Sequence, residues 1–294
     1  MGQQQLEDML NVDSADENTS GKEVDEIQKS SHSSDTEQSA EELCDDRSSS
    51  GIGEETAIHL AELGANLVVT GRDEQRIKSV AEKCRKISGK KVISIAADLL
   101  NDNDVQNLFE TTIQEFGKLD VLVNNAGVGD LSYMSDPKIM ELYTKIMDTN
   151  LRCIVLLSHL AMPYLVKTKG CIINISSIAS LKPSPKTTCY CMSKAALDML
   201  TKCMALELAP KGVRVNCINP AVTETPLLER KYGHVMPIEK VKEIRSKQYP
   251  IGRIAQPYDI ACAVEYLASN DAAFITGTSL LMDGGALYGS TQKE

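Results

Sequence analysis

The sequence has no excess of basic charge, no run of 18 apolar residues, no Cys-x-x-Cys pair and, in its first 50 residues, no aromatic side chain. Each absence excludes something. Without basic clusters there is neither a nucleic-acid-binding surface nor a polybasic membrane patch. The longest apolar candidate, Cys153 to Val166, is interrupted by Ser158, His159 and Pro163, which suits a buried helix rather than a bilayer span. The nine cysteines are an odd number with no zinc-like spacing. Cys171, Cys203 and Cys217 lie in core-like runs and read as small apolar residues in a reducing compartment, which makes the cytoplasm the expected location. Cys189 and Cys191 flank Tyr190 and read as filler in the same way.

What charge there is lies at one end. Residues 1–50 carry 14 acidic and 3 basic side chains, whereas the following 244 carry 27 and 28. The net charge of −10 therefore belongs to the first 50 residues. That stretch is rich in Ser, Glu, Asp and Gln and cannot bury enough apolar surface to offset ordering entropy, so residues 1–47 are expected to be disordered. It lacks the basic start and apolar stretch of a secretory signal. Met1-Gly2 hints at myristoylation, but Leu6 stands where that motif needs Ser or Thr.

From Gly51 onward, short apolar runs alternate with helical patterns. Strands are expected at 66–70, 92–96, 120–123, 171–176, 213–218 and 279–282. Helices are expected at 54–64, 73–88, 102–116 and 257–268, with two long ones bracketing the strand at 171–176. Such an alternation predicts an α/β fold with a parallel sheet and helices on both faces. Residues 221–250 are charged and poorly periodic, as a substrate lid would be.

Ser177, Tyr190 and Lys194 carry the chemistry. Tyr190 and Lys194 are four residues apart and so share one helix face. No other tyrosine here has a lysine four residues later. Ser177 ends the apolar run 170–176. A lone Tyr-x-x-x-Lys is usually a solvated helix pair; the strand-end serine upstream changes the reading. The ammonium favours the phenolate, and the serine hydroxyl can bond a substrate oxygen. Reversible reduction of a carbonyl suits that set.

The wider motif order sharpens the picture. Ser50-Gly51-Ile52-Gly53, Asp98-Leu99, Asn124-Asn125-Ala126-Gly127, Asn150, the Ser177/Tyr190/Lys194 set, Asn219-Pro220 with Thr225, and the closing Ile275-Thr276-Gly277 and Asp283-Gly284-Gly285 follow one another at matching spacing. In these motifs residues 51–286 resemble the short-chain dehydrogenase/reductase family. The resemblance implies a Rossmann-type doubly wound domain over 48–289, followed by a short tail at 290–294. It also implies a seven-stranded sheet, a dimer or tetramer, and a nicotinamide cofactor.

By the same resemblance, Tyr190 is general acid in reduction and general base in oxidation. Lys194 holds the nicotinamide ribose, Ser177 polarises the carbonyl and Asn150 positions a relay water. Ser50, Gly51, Ile52 and Gly53 form the pyrophosphate turn. Asp98, Leu99, Asn125, Ala126, Gly127, Pro220 and Thr225 line the cofactor, and Val128 with Lys182 to Pro185 borders the substrate. Arg72, just after the second strand of the family pattern, favours the 2′-phosphate of NADP(H), with NAD(H) as second choice. The substrate is expected to be a small-molecule carbonyl or alcohol, with no nucleic acid, membrane or metal involved.

The chain departs from the family pattern at one end of the motif. Arg47 replaces the first glycine of the cofactor turn and Asp46 the preceding threonine. Residues 38–47, rich in carboxylates, offer no apolar first strand, so that strand is expected to be absent or degenerate. Unpaired carboxylates in a central strand would cost several kcal/mol each. Ala221 stands where a glycine is usual. Two readings stay open: a working NADP(H)-dependent reductase, or a catalytically impaired relative that acts as an oligomeric scaffold or arises by exchange of the N-terminus.

Overall fold

The structure, a computed structural model, describes residues 50–233 and 236–289. The expected N-terminal disorder, the degenerate strand at 38–47 and the tail at 290–294 lie outside them. Helix α1 (Gly51–Glu62) opens the described chain, followed by β1 (Leu67–Gly71), α2 (Glu74–Ser88), β2 (Val92–Ala96), α3 (Asp102–Phe116) and β3 (Val121–Asn124). Helix α4 (Ile139–Met147) runs through a π-turn (Asp148–Arg152) into α5 (Cys153–Thr168). Then come β4 (Cys171–Ile175), α6 (Thr188–Leu208), β5 (Arg214–Pro220), α7 (Pro226–Tyr232), α8 (Ile238–Lys247), α9 (Pro257–Ala268) and β6 (Ser279–Met282).

Local chemistry sets these boundaries. Asp73 caps α2 by accepting from the backbone of Gln75 and Arg76, and Asn101 caps α3 by accepting from Asn103 N. Both helices stop at a glycine in the left-handed region, Gly89 and Gly117. β4 is buried at every residue and reads as the unbroken apolar run of a central parallel strand.

All strand pairs are parallel, and they form two sheets, β1-β2 and β3-β4-β5-β6. Helices α3, α5 and α6 cover one face, with Val105, Leu108, Ile154, Leu157 and Leu197 in one cluster and Leu165, Ile172, Leu208 and Val215 in the next. On the other face α9 packs against β4 and β5 through Ile260, Val264 and Leu267, and α1 with α2 packs against β1. His59 of α1 meets Glu265 of α9 at 2.6 Å and ties those two helices together.

Six strands are described, where the family resemblance implies seven. The break falls between β1 and β3, the place of a first strand in that fold. Leu67 N donates to Lys91 O and Ala97 N to Gly71 O, so alternate residues of β1 face β2. The backbones of Val68 and Thr70 therefore turn to an edge that no described strand covers. Val121 and Val123 of β3 do the same from the other side, because Asp120 and Leu122 face β4. β1 and β3 are accordingly only half-buried along most of their length, unlike β4.

Two expectations change. The 221–250 stretch, read as irregular, contains α7 and α8; their packing is amphipathic, with Val241 buried and the cluster of Leu228, Met236, Tyr249 and Ile254 beneath them. Short helices broken by Pro226 and Pro237 leave too few turns for a periodic signal. Cys203, read as core, is exposed on α6, while Cys171 and Cys217 are buried. The run Ile139–Thr168 is long and apolar enough to cross a membrane. One face of it, with Ile146, Ile154, Ala161 and Leu165, is buried within the protein.

Candidate active site

Strand β4 ends in a polar step. Ser176 and Ser177 follow it, and Ser177 has extended backbone (φ −165°) before a single 3-10 turn, Ile178–Ser180. Ser177 Oγ accepts from Ala179 N at 3.1 Å, which fixes the oxygen and leaves its proton to donate outward. Facing it, α6 places Tyr190, Lys194 and Asp198 at successive turns of one face.

Lys194 is 3% exposed and its Nζ donates to Ile175 O at 2.9 Å, so the ammonium is clamped at the strand end. It also lies over the Tyr190 ring, 5.8 Å from the centroid. Gly127 completes this corner: a β-carbon there would sit 3.1 Å from Lys194 Nζ and 3.7 Å from Asn150 Oδ1. A β-carbon on Gly129 would touch the Tyr190 ring at 3.6 Å. Backbone after β3 thus approaches both catalytic candidates closely.

Asn150 sits in the π-turn and is fully buried. An extra residue in the turn rotates it inward, a device frequent at functional sites. Its side chain brackets Val128, accepting from the N–H at 2.7 Å and donating to the carbonyl at 2.9 Å. It also donates to Ser193 Oγ, which donates to Tyr190 O at 2.8 Å. Asn150 is therefore linked to the backbone that carries Tyr190. The loop after β3 is stitched to the start of α6 by Ser132, whose backbone and hydroxyl bond Lys186, Thr188 and Cys189. Ser132 and Ser193 carried no sequence signal, since an isolated serine has no period or motif.

The remaining candidates lie in three places. After β3 and at the end of β5, Ala126 is buried, Gly127 borders Lys194, and Pro220 is the last residue of the strand. Asn125 follows β3, whereas Asn124 is interior, donating to Asn174 Oδ1 at 2.8 Å. After β2, Asp98 accepts from Leu100 N, and Leu99 is 3% exposed within the α3–α5 cluster. Arg72 directly follows β1; the neighbouring Asp73 carboxylate caps α2 and pairs with Arg76.

At the start of α1, Ser50 precedes the helix without a side-chain cap hydrogen bond. Gly51 (φ +56°) allows no side chain: a β-carbon would lie 2.9 Å from Thr225 Cγ2. Gly53 is buried and Ile52 packs toward α9. Thr225 therefore brings the α7 segment against the start of α1. The side-chain space at Gly51 is taken by Thr225 and Pro226, and that at Gly127 by Lys194 and Asn150.

A protein-family model described as enoyl-(acyl carrier protein) reductase matches residues 47–286. The chain belongs to the short-chain dehydrogenase/reductase family. Within that family it is 35% identical to the L-fucose dehydrogenase of Bos taurus, over 83% of this chain and 88% of the relative. It is 30% identical to a 3-oxoacyl-[acyl-carrier-protein] reductase of Thermotoga maritima, over 80% and 93%. Among solved structures, a short-chain dehydrogenase/reductase from Caenorhabditis elegans with cofactor superposes at TM-score 0.75 and 33% identity, over 82% and 93% of the two chains. A Brucella melitensis 3-ketoacyl-(acyl-carrier-protein) reductase complexed with NADH superposes at TM-score 0.71 and 31% identity, over 81% and 95%. The Rossmann-type architecture and the general class of oxidoreductase follow from membership.

Proposed function

We propose that the protein is an NADP(H)-dependent reductase of a small-molecule carbonyl, running in reverse as a secondary-alcohol dehydrogenase. The observation that carries the proposal is the clamped ammonium of Lys194 one helical turn from Tyr190, opposite Ser177 at the end of β4. When bound, a nicotinamide would supply or take up the hydride. The protein handles the proton. Ser177 donates its hydroxyl to the substrate oxygen, Tyr190 delivers a proton to that oxygen in reduction and removes it in oxidation, and Lys194 stabilises the phenolate left behind. Asn150 has its side-chain amide committed to Val128 and Ser193, so a relay water in this turn would rest on backbone oxygen.

Arg72, at the end of β1, is the support for NADP(H) over NAD(H). The test is cofactor titration of the parent and of Arg72→Asp. NADPH should bind more tightly than NADH to the parent, and the ratio should fall in the variant. An unmoved ratio would overturn the cofactor assignment.

Homo-oligomerisation belongs to the same proposal. A shallow groove of about 500 Å³ with a mostly apolar surface runs along the π-turn and α5, lined by Met147, Leu151, Val155, Leu156 and His159 with Asp148 and Arg152. Exposed Met199 and Leu206 on α6 add to the apolar surface. The near-neutral charge of residues 51–294 supports a small-molecule partner rather than nucleic acid, and a cytoplasmic setting fits the thiols. A scaffold without catalysis is the second reading, favoured by the separation of β1-β2 from β3-β6 among the described residues. Absence of NADPH and NADH binding by folded protein would select it.

A further inference from the structure

We propose that Asp198 is a positioning residue for Ser177, a role that rests on the reductase reading above. Asp198 is 5% exposed and lies one turn beyond Lys194 on α6, well behind the reacting groups. A carboxylate so placed needs donors, and the site supplies them. Oδ1 accepts from Ser176 Oγ at 2.5 Å and has Cys217 Sγ at 3.6 Å. Oδ2 accepts from Ser180 Oγ at 2.7 Å and from Asn219 Nδ2 at 2.8 Å. Three elements meet on it: the end of β4, the 3-10 turn and the end of β5.

The same donors reach the serine. Ser180 Oγ lies 2.8 Å and Asn219 Nδ2 3.2 Å from Ser177 O, and Asn219 Nδ2 lies 2.7 Å from Ser180 Oγ. One hydroxyl proton and two amide protons thus serve five contacts to Asp198, Ser177 and Ser180. The carboxylate orients that set, because it can only accept. Consecutive residues of the strand end are held from one helix face: Ile175 O by Lys194, Ser176 Oγ by Asp198, and Ser177 O by Asp198 through Ser180 and Asn219. The spacing between Ser177 and Tyr190 follows from where that face pins the strand. Cys217, buried and pushed up to about 12 chiefly by desolvation, stays a neutral thiol and adds no competing charge to this cluster.

Asp198→Asn replaces one acceptor by a donor that faces Ser180, Asn219 or Ser176. Ser180→Ala removes one relay and keeps the carboxylate, and is the milder change. Backbone hydrogen exchange needs neither cofactor nor turnover and reads the 3-10 turn directly. In Asp198→Asn, and less so in Ser180→Ala, the amides of Ala179, Ser180, Leu181 and Lys182 should exchange about 10-fold faster, with β4 amides unchanged. Unchanged protection at 179–182 overturns the proposal. Loss spread equally over β4 and α6 also overturns it, because that marks a general role in the fold. Steady-state turnover of a small-molecule ketone with NADPH should show kcat lowered about 10-fold and the NADPH dissociation constant unchanged. A fall in NADPH affinity with kcat preserved overturns it. If the parent binds NADPH but turns over no ketone or aldehyde, the reductase reading fails, while hydrogen exchange still decides whether Asp198 holds Ser177.

Discussion

Replacing Gly170 with alanine attacks the rung from which the catalytic strand starts. A β-carbon built there falls 2.1 Å from Asp120 O, 2.9 Å from Asp120 C and 3.0 Å from Leu165 Cδ2. A carbon and a carbonyl oxygen need about 3.3 Å, so the backbones must part by about 1 Å. Three hydrogen bonds sit at that point: Cys171 N to Asp120 O, Gly170 N to Leu165 O and Arg214 N to Gly170 O. Weakening two of them at about 1 kcal/mol each, with about 1 kcal/mol of overpacking against Leu165, gives about 3 kcal/mol. For a domain of this size that is a fall in Tm of about 6–12 °C. Gly89→Ala is the control: its φ is +63° and nothing lies within 4 Å of the new β-carbon. Left-handed strain alone should cost about 1 kcal/mol, or about 2–4 °C. Both are read by differential scanning calorimetry. A Gly170→Ala protein that melts within about 2 °C of the parent, or above Gly89→Ala, refutes the close approach of β4 to Asp120.

Other outcomes are expected. Tyr190→Phe should lower kcat by about 100-fold or more at unchanged Tm, and undiminished turnover would remove Tyr190 from the mechanism. Lys169→Gly should raise Tm by about 1–3 °C, since Lys169 holds φ 54° at the C-cap of α5. Calorimetry that gives no rise would show that the cap is unstrained. Burial lifts the Cys217 thiol from 9.0 to about 12 and raises Cys171 in the same direction. Their contribution is complete below pH 9 and is lost as pH rises toward 12, because the unfolded thiols ionise first. Tm measured across that window should fall less steeply in Cys217→Ala, and parallel curves would refute the assignment.

Much of the fold was legible along the chain because it rests on local signals. The strand at 92–96 and the helices at 102–116 and 257–268 fall where their apolar periods, caps and prolines place them. Tyr190 and Lys194 were legible as a pair because helix geometry makes residues four apart neighbours. The motif order gave the family, and with it Asn150 and Gly127 as candidates. The π-turn that rotates Asn150 inward has no such signature, since it depends on how α4 and α5 pack.

By itself, then, the sequence determined the alternation of strands and helices, the Ser-Tyr-Lys set, and the lack of an apolar run before Gly51. Those are properties of composition and spacing. Tertiary structure alone decided that Lys194 clamps Ile175, that Ser193 links Asn150 to Tyr190, and that Asp198 gathers Ser176, Ser180 and Asn219. These contacts join residues on different elements, and a buried polar group finds its partners only when the chain brings them together. The same reason governs the division between β1-β2 and β3-β6: strand pairing is a long-range choice, and among the described residues the backbones of Val68, Thr70, Val121 and Val123 meet no strand.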